Sequence, residues 1–210
     1  MNLDNTTWPT RPLGTVSEIL TGLPLSRRAS EDGRPYRVVN IRDLGDTGLL
    51  SGLSGLDEVR LPGATRLVRY KVRKGDVLIT CRGTSFRSVM VGAGAAGAIA
   101  SANLLILRPR GDLLAPVLVA WLHTPRGEHE VLSRSRSSAM TLALGRKDVA
   151  GIPVPVPPLE VQQQIVALIE ATDASYQAAI EAAELRRQVG LEVAARLLTG
   201  LEQSEGDDDE

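Results

Sequence analysis

Apolar residues in the first 150 positions come in short bursts, each bounded by glycine, proline or charge. RVVNI (37–41), VLITC (77–81), SVMV (88–91) and NLLILRP (103–109) have the length and the β-branched or leucine-rich content of strands. TRLVRYKV (65–72) alternates loosely at the period of a strand, and KGD (74–76) supplies the turn that follows it. SEDGRPY (30–36) is a turn, and GDTGLLSGLSG (45–55) is a Gly/Ser-rich loop or hairpin. RGTS (82–85) and RSRSSA (134–139) are polar loops, the second followed by apolar Met140, Leu142 and Leu144. Val16, Ile19 and Leu20 form a short apolar-periodic segment ended by Gly22, and the pattern turns helical from Leu113 to His123. About seven strand-and-turn units with one or two helices predict an α+β domain of mixed strands rather than a βαβ alternation.

A different pattern begins at IPVPVPPLEVQQQIVALIE (152–170), where four prolines fall within six residues. From Leu159 to Gly200 there is no proline and one internal glycine, Gly190. Pro157 and Pro158 suit a helix entry, since the N–H they lack is one that the first turn leaves unpaired anyway. Glu160 then meets the positive end of the helix dipole. A helix of that length would reach ~60 Å. Ile165, Ile169, Thr172, Tyr176, Ala179, Ala183, Arg186, Gly190, Val193 and Leu197 are spaced by alternating steps of four and three, the period of a coiled-coil seam. The small residues Ala179, Ala183 and Gly190 leave room for a close neighbour. A body of this size cannot cover ~60 Å of helix, so the outer seam requires a partner helix. The expected organisation is a globular domain over 1–158, a long coiled-coil or dimerisation helix over 159–200, and a solvated, disordered acidic tail over 201–210.

Composition alters this picture in one respect. With 43% apolar and 3% aromatic residues the chain suits a soluble globular protein, and no apolar run is long enough to span a bilayer. No basic segment followed by an apolar one is visible at the N-terminus, and the single Cys81 rules out an internal disulfide and fits a reducing cytoplasm. The net charge of −1 conceals a split: residues 1–158 carry 21 Lys and Arg against 13 Asp and Glu, or +8, and residues 159–210 carry 3 against 12, or −9. A basic body on an acidic arm points to a polyanion partner for the body alone, which favours nucleic acid.

Motifs for catalysis are weak. GAGAAG (92–97) fits a dinucleotide fingerprint letter for letter, but only about six residues separate it from the next strand, too few for the required helix. The glycines are assigned to a tight turn. His123 and His129 flank TPRGE across a Pro–Gly turn, which is not the spacing of metal ligands, so no metal and no cofactor are expected in this chain. Cys81 reads as a buried small side chain rather than a nucleophile. What remains are loops carrying arginine beside small hydroxyl residues. PLSRR, CRGTSFRS, SRSRSS and GRK supply Arg27, Arg28, Arg82, Thr84, Ser85, Arg87, Arg134, Arg136, Ser137 and Lys147 as the candidate DNA-binding set. Arginine can bond guanine O6 and N7 with two prongs, and serine or threonine can reach phosphates or base edges. The sparse aromatic residues offer no stacking platform, which favours duplex over single-stranded nucleic acid.

Four stretches together resemble the DNA-specificity subunits of type I restriction–modification systems: WPTRPLGTVSEILTG, VRKGDVLITCRGTSFRSVMV, AIASANLLILRP and LGRKDVAGIPVPVPPLEVQQQIVALI. The resemblance covers roughly residues 8–200 and is most specific at the last stretch, where Gln162 and Ile165 match the family pattern and Val161 replaces its usual glutamate. A full family member carries two target-recognition domains and two long helices packed antiparallel; this chain has one of each, as a half-length form. The resemblance implies a non-catalytic, cytoplasmic protein of phage defence that binds double-stranded DNA and forms a homodimer through Ile165, Ile169, Thr172, Tyr176, Ala179, Ala183, Gly190, Val193 and Leu197. It also implies adenine methyltransferase subunits as partners, with S-adenosylmethionine bound on them, and a restriction or translocase subunit as a further one. Two other classes compete. An adaptor that inserts its helix into such a complex without reading DNA would leave the basic loops idle, and an enzyme with a dispersed site has no motif in its favour.

Overall fold

A computed structural model describes residues 8–25, 33–45, 47–62, 65–136 and 141–199. Its elements run β1 (Thr10–Pro12), α1 (Leu13–Val16), β2 (Ser17–Thr21), β3 (Arg34–Val39), β4 (Leu49–Leu50), β5 (Asp57–Leu61), β6 (Val77–Thr80), β7 (Arg82–Gly83) and β8 (Ser88–Val91). They continue with β9 (Ile99–Ala100), β10 (Leu104–Pro109), α2 (Ala115–Leu122), α3 (Pro125–Leu132), β11 (Leu142–Ala143), α4 (Arg146–Ala150), β12 (Pro153–Pro155) and α5 (Leu159–Thr199). The class is α+β. By contacts the chain divides into a unit ending at Ile165 and a unit beginning at Val166. Among the described residues no helix is long and apolar enough to cross a membrane. The acidic tail at 201–210, and with it the expectation that it is disordered, lies outside the described residues.

The described part of the first unit is built from the two-stranded ribbons β1-β12 and β7-β11 and two larger sheets. One has the order β2-β10-β6-β8-β4, antiparallel except where β4 runs parallel to β8. Its inner strands β6 and β10 are buried on both faces, which is why VLIT and LLIL show no polar alternation. Leu78, Val89, Leu104 and Ile106 form the centre of its core. The other sheet has the order β5-β3-β9 and closes over Leu23, Val38, Leu61, Leu67, Tyr70 and Ile99.

Three local expectations are corrected. The apolar-periodic segment at 8–22 is one helical turn followed by a strand, because β2 pairs along its whole length with β10, from Ser17 opposite Pro109 to Thr21 opposite Leu105. TRLVRYKV is not a strand: Thr65–Tyr70 coils into a 3-10 helix, whose three-residue period puts Leu67 and Tyr70 together in the core. The segment after His123 is helix α3 rather than a turn, capped by Thr124, whose hydroxyl accepts the Gly127 N–H at 3.0 Å. GAGAAG does form a short turn, a 3-10 piece at Ala93–Ala95 ahead of Gly97 at φ +92°.

Among the described residues a charged side chain is buried once, at the KGD turn. Asp76 is almost wholly inaccessible, and its carboxylate accepts Arg108 Nε at 2.8 Å, Arg108 Nη2 at 2.9 Å and the Arg73 N–H at 2.7 Å. The positions between, Arg73 to Gly75, turn tightly, with Gly75 at φ +83°, where a side chain would be strained.

The proline run resolves into two parts. Pro153 and Pro155 lie in β12, which pairs with β1 so that Pro153 stands opposite Pro12, while Val154 is buried. A two-stranded edge ribbon tolerates prolines because few N–H donors are required of it. Pro157 and Pro158 lead into α5, and the Pro158 carbonyl accepts the N–H groups of Val161 and Gln162, each at 3.0 Å. Gln162 is the one fully buried residue of α5. Its Oε1 accepts the Leu114 N–H at 2.8 Å, and its Nε2 donates to the carbonyls of Asp112 at 2.9 Å and Pro157 at 2.8 Å.

Gln162→Leu keeps the volume and removes every one of those bonds. Unsatisfied buried backbone groups cost about 1–3 kcal/mol each and relax in part, so a net loss of roughly 2–4 kcal/mol is expected in urea unfolding. Amide exchange at Leu114 should accelerate with it. An unchanged unfolding midpoint would show that these groups find other partners.

Candidate nucleic-acid interface

Two polar loops that lie about fifty residues apart in sequence are brought side by side by a short ribbon. β7 exists because β11 pairs with it, Arg82 opposite Ala143 and Gly83 opposite Leu142. Gly83 takes φ +148°, and a Cβ there would come within 3.2 Å of Ile41 Cδ1 and 3.5 Å of Thr80 Cγ2, a place and a conformation that suit glycine. Around the ribbon, Leu144 N–H donates to the Cys81 carbonyl at 2.9 Å and Arg136 N–H to the Ala143 carbonyl at 3.1 Å. Ser135 Oγ accepts the Ala143 N–H at 3.0 Å. The third basic segment joins through Asp148 of α4, whose Oδ1 accepts Arg136 Nη2 at 2.7 Å and Nε at 3.2 Å. CRGTSFRS, the described part of SRSRSS, and GRK therefore share one neighbourhood.

Within it the predicted residues divide into two groups. Arg82, Thr84, Ser85 and Lys147 are exposed, and Arg136 remains 71% exposed at its side chain while held on Asp148. Arg134 and Arg87 are half-buried. Arg134 lies 3.7 Å from Glu130 across one helical turn, and Arg87 Nη1 donates to the Leu44 carbonyl at 2.8 Å, tying its loop to the 41–45 segment. Arg27, Arg28 and Ser137 lie outside the described residues. Cys81, at the base of the loop, is buried; burial pushes its thiol up more strongly than neighbouring Arg82 pulls it down. His123 packs onto β8, with Nε2 3.0 Å from the Ser88 carbonyl oxygen.

Sequence reasoning missed Asp148 and Arg42, and one pattern contains both. NIRD (40–43), RKGD (73–76) and GRKD (145–148) each end in an aspartate whose carboxylate accepts the N–H three residues earlier, at 2.7, 2.7 and 2.8 Å. Each closes a tight turn that carries a basic residue outward: Arg42, Lys74, and the pair Arg146 and Lys147. Arg42 is paired with Asp57, and its neighbour Ile41 occupies the space beside Gly83 that a side chain there would need. An aspartate three residues after a turn start is a cap signal, so the pattern was available to be read.

The seam of α5 is bare over most of its length. Ile165 and Ile169 are half-buried, and Thr172, Tyr176, Ala179, Ala183, Gly190, Val193 and Leu197 are exposed, Tyr176 at 61% and Leu197 at 78%. Apart from the helix's own neighbouring backbone, no described atom lies within 4 Å of a Cβ placed at Gly190.

The tether on Arg136 has a pH signature. Its hydrogen bond to Asp148, and then the Gly145 N–H, hold that carboxyl below the ordinary aspartate range. Because the folded-state value is depressed, the tether is complete above the ordinary value and is lost only as pH falls through the lowered one. A carbon-13 titration of Asp148 should place its midpoint below that of a free aspartate, and Arg136→Ala should move it upward. A parent midpoint at or above the free value would mean that Arg136 is not engaged in solution.

No family model matches the chain, and no curated protein sequence does. Solved structures do. A structure describing complex assembly and conformational transition of the type I restriction–modification system matches at 22% identity and TM-score 0.63, over 92% of this chain and 46% of that one. The HsdS subunit from Thermoanaerobacter tengcongensis matches at 23% identity and TM-score 0.57, over 98% and 43%. The type I system S subunit from M. genitalium matches at 15% identity and TM-score 0.55, over 96% and 48%. The chain has the fold of these specificity subunits along nearly all of its length and spans less than half of theirs.

Proposed function

We propose that this chain is the non-catalytic, sequence-specific duplex-DNA recognition subunit of a type I-like restriction–modification assembly. Residues 1–158 read DNA and the helix from Leu159 onward joins the chain to a second copy. Adenine methyltransferase subunits, with their S-adenosylmethionine, and an endonuclease or translocase subunit assemble around it in the cytoplasm. The observation that carries this reading is the convergence of three Arg-, Lys-, Ser- and Thr-bearing segments on the β7–β11 ribbon, in a chain with a specificity-subunit fold.

The chemistry fits the class. Arg82 and Arg136 present planar donors that match guanine O6 and N7, a pairing worth about 1–3 kcal/mol of discrimination. Thr84 and Ser85, exposed in the loop that carries Arg82, can bond phosphates or base edges. Lys147 and Arg146 supply sequence-independent charge to the same face. Strand pairing on both sides of the loop limits its motion, which base discrimination needs. The acidic helix suits contact with protein and is repelled by phosphate.

The test begins by selecting a preferred site from a random duplex pool. At fixed salt, Arg82→Ala and Arg136→Ala should each lower affinity for the selected duplex by roughly 5- to 150-fold, the equivalent of about 1–3 kcal/mol. Lys147→Ala should weaken selected and random duplexes alike and reduce the salt slope by about one. The purified chain with S-adenosylmethionine or magnesium should neither methylate nor cleave. A chain that ignores duplex DNA even in dilute buffer would instead be an adaptor that acts through its helix.

A further inference from the structure

The resemblance already implies that α5 packs in reverse against the α5 of a second copy; we infer that this pair takes one register, centred on residue 181, and that two Asp173–Arg187 ion pairs across the two-fold axis select it. The inference rests on the reading of α5 as a dimerisation helix and names how the two copies meet.

The seam is a palindrome. Its steps from Ile165 to Leu197 run 4-3-4-3-4-3-4-3-4 and read the same from either end. Reversing one copy about residue 181 therefore sets every seam residue against another seam residue. Ile165 and Ile169 meet Leu197 and Val193, so the bulky apolar groups at the two ends of the helix cover one another. Thr172 meets Gly190, a larger residue against one with open space around it. Tyr176 meets Arg186, which gives the one charge inside the seam an aromatic face to lie on. Ala179 meets Ala183 at the centre, where small residues let the backbones approach.

A parallel pair in register fares worse on the same residues. It stacks Arg186 on Arg186 and Gly190 on Gly190, placing like charges in the seam and leaving a gap beside them. The distribution of charge agrees. From Leu159 to Glu181 the helix carries Glu160, Glu170, Asp173 and Glu181 and no base; from Ala182 to Thr199 it carries three arginines against two glutamates. Only a reversed partner brings the acidic half beside the arginine-bearing half.

The line that flanks the seam makes the register specific. Asp173, Ile180 and Arg187 are seven residues apart and border it on one side. In the reversed pair Asp173 faces Arg187 of the other copy, twice by symmetry, and Ile180, 45% exposed in the single chain, faces its own counterpart. Asp173 has no ion partner among the described residues. Arg187 Nη1 lies 3.2 Å from Glu184 one turn back, an exposed contact that is easily exchanged.

Asp173→Arg and Arg187→Asp are made separately in the full chain, and mass in solution is followed by sedimentation across a concentration series. Each variant alone faces like with like at both sites and should dimerise about tenfold more weakly than the parent. An equimolar mixture of the two should recover the parent affinity as a heterodimer, because every site then pairs arginine with aspartate. Variants that dimerise like the parent, or a mixture that recovers nothing, overturn the register while leaving the dimer in place. A parent chain that stays monomeric at every concentration overturns the dimer itself.

Discussion

One buried carboxamide holds the end of the globular unit together. Gln162 offers an acceptor and two donors, and the surrounding backbone supplies one donor and two acceptors within 2.9 Å. The arithmetic suits no other side chain of this size. Glutamate would place a charge against two carbonyl oxygens, and leucine would leave three backbone groups dry. Leu114, whose N–H it accepts, stands at the N-terminus of α2, a helix start with no side-chain cap of its own. Thus the first turn of α5 caps α2 and fixes the segment from Asp112 to Leu114 and the Pro157 carbonyl in a single contact. The β1–β12 ribbon can then be built from prolines, since its position does not depend on a long ladder.

Arg136 of the ribbon face is restrained in a way that bears on the proposed recognition. Arg136 spends two of its five N–H donors on Asp148 and keeps the others toward solvent. A side chain already held in one rotamer loses less freedom on meeting DNA than a free one, and such ordering costs on the order of 1 kcal/mol per side chain. The tether also fixes where the guanidinium plane lies, which a two-pronged base contact requires. The aspartate-closed turns at 40–43 and 145–148 apply the same device to the backbone, so that the neighbouring basic residues project from tight turns and not from slack loops.

Legibility in the sequence followed burial. β6, β8 and β10 were readable because strands covered on both faces carry largely apolar runs, and α5 because 41 residues without proline and with a helical apolar period leave little else for the chain to form. β2 was obscured, since a spacing of 16, 19 and 20 belongs equally to a helix and to a twisted edge strand, and only the pairing with β10 decides. Helix α3 was hidden by its own composition, a Pro–Arg–Gly start with a polar face and a single buried Val131 near its end. The basic loops announced themselves by arginine and serine, yet their meeting did not. β7 and β11 are two residues each, and strands that short exist only through their partner. Nor could composition separate Arg136, which faces out, from Arg134 and Arg87, which are drawn inward by Glu130 and the Leu44 carbonyl.

The pairing proposed for α5 requires a helix that is apolar along one line and stable before anything adheres to it. Its composition meets the second demand: alanine, leucine, glutamate, glutamine and arginine dominate α5, and the one glycine costs about 1 kcal/mol. An isolated helix of 41 residues is well beyond the length at which nucleation limits it. The seam is therefore presented on a preformed rod, and association need not also order a chain. The seam itself is deliberately poor, interrupted by Thr172, Arg186 and Gly190, so hydrophobic burial alone gives little preference among apolar partners. On the proposed reading, discrimination comes from matching those interruptions and the charges beside them, and the surplus of acid along the rod disfavours the phosphate backbone that the basic domain is proposed to read.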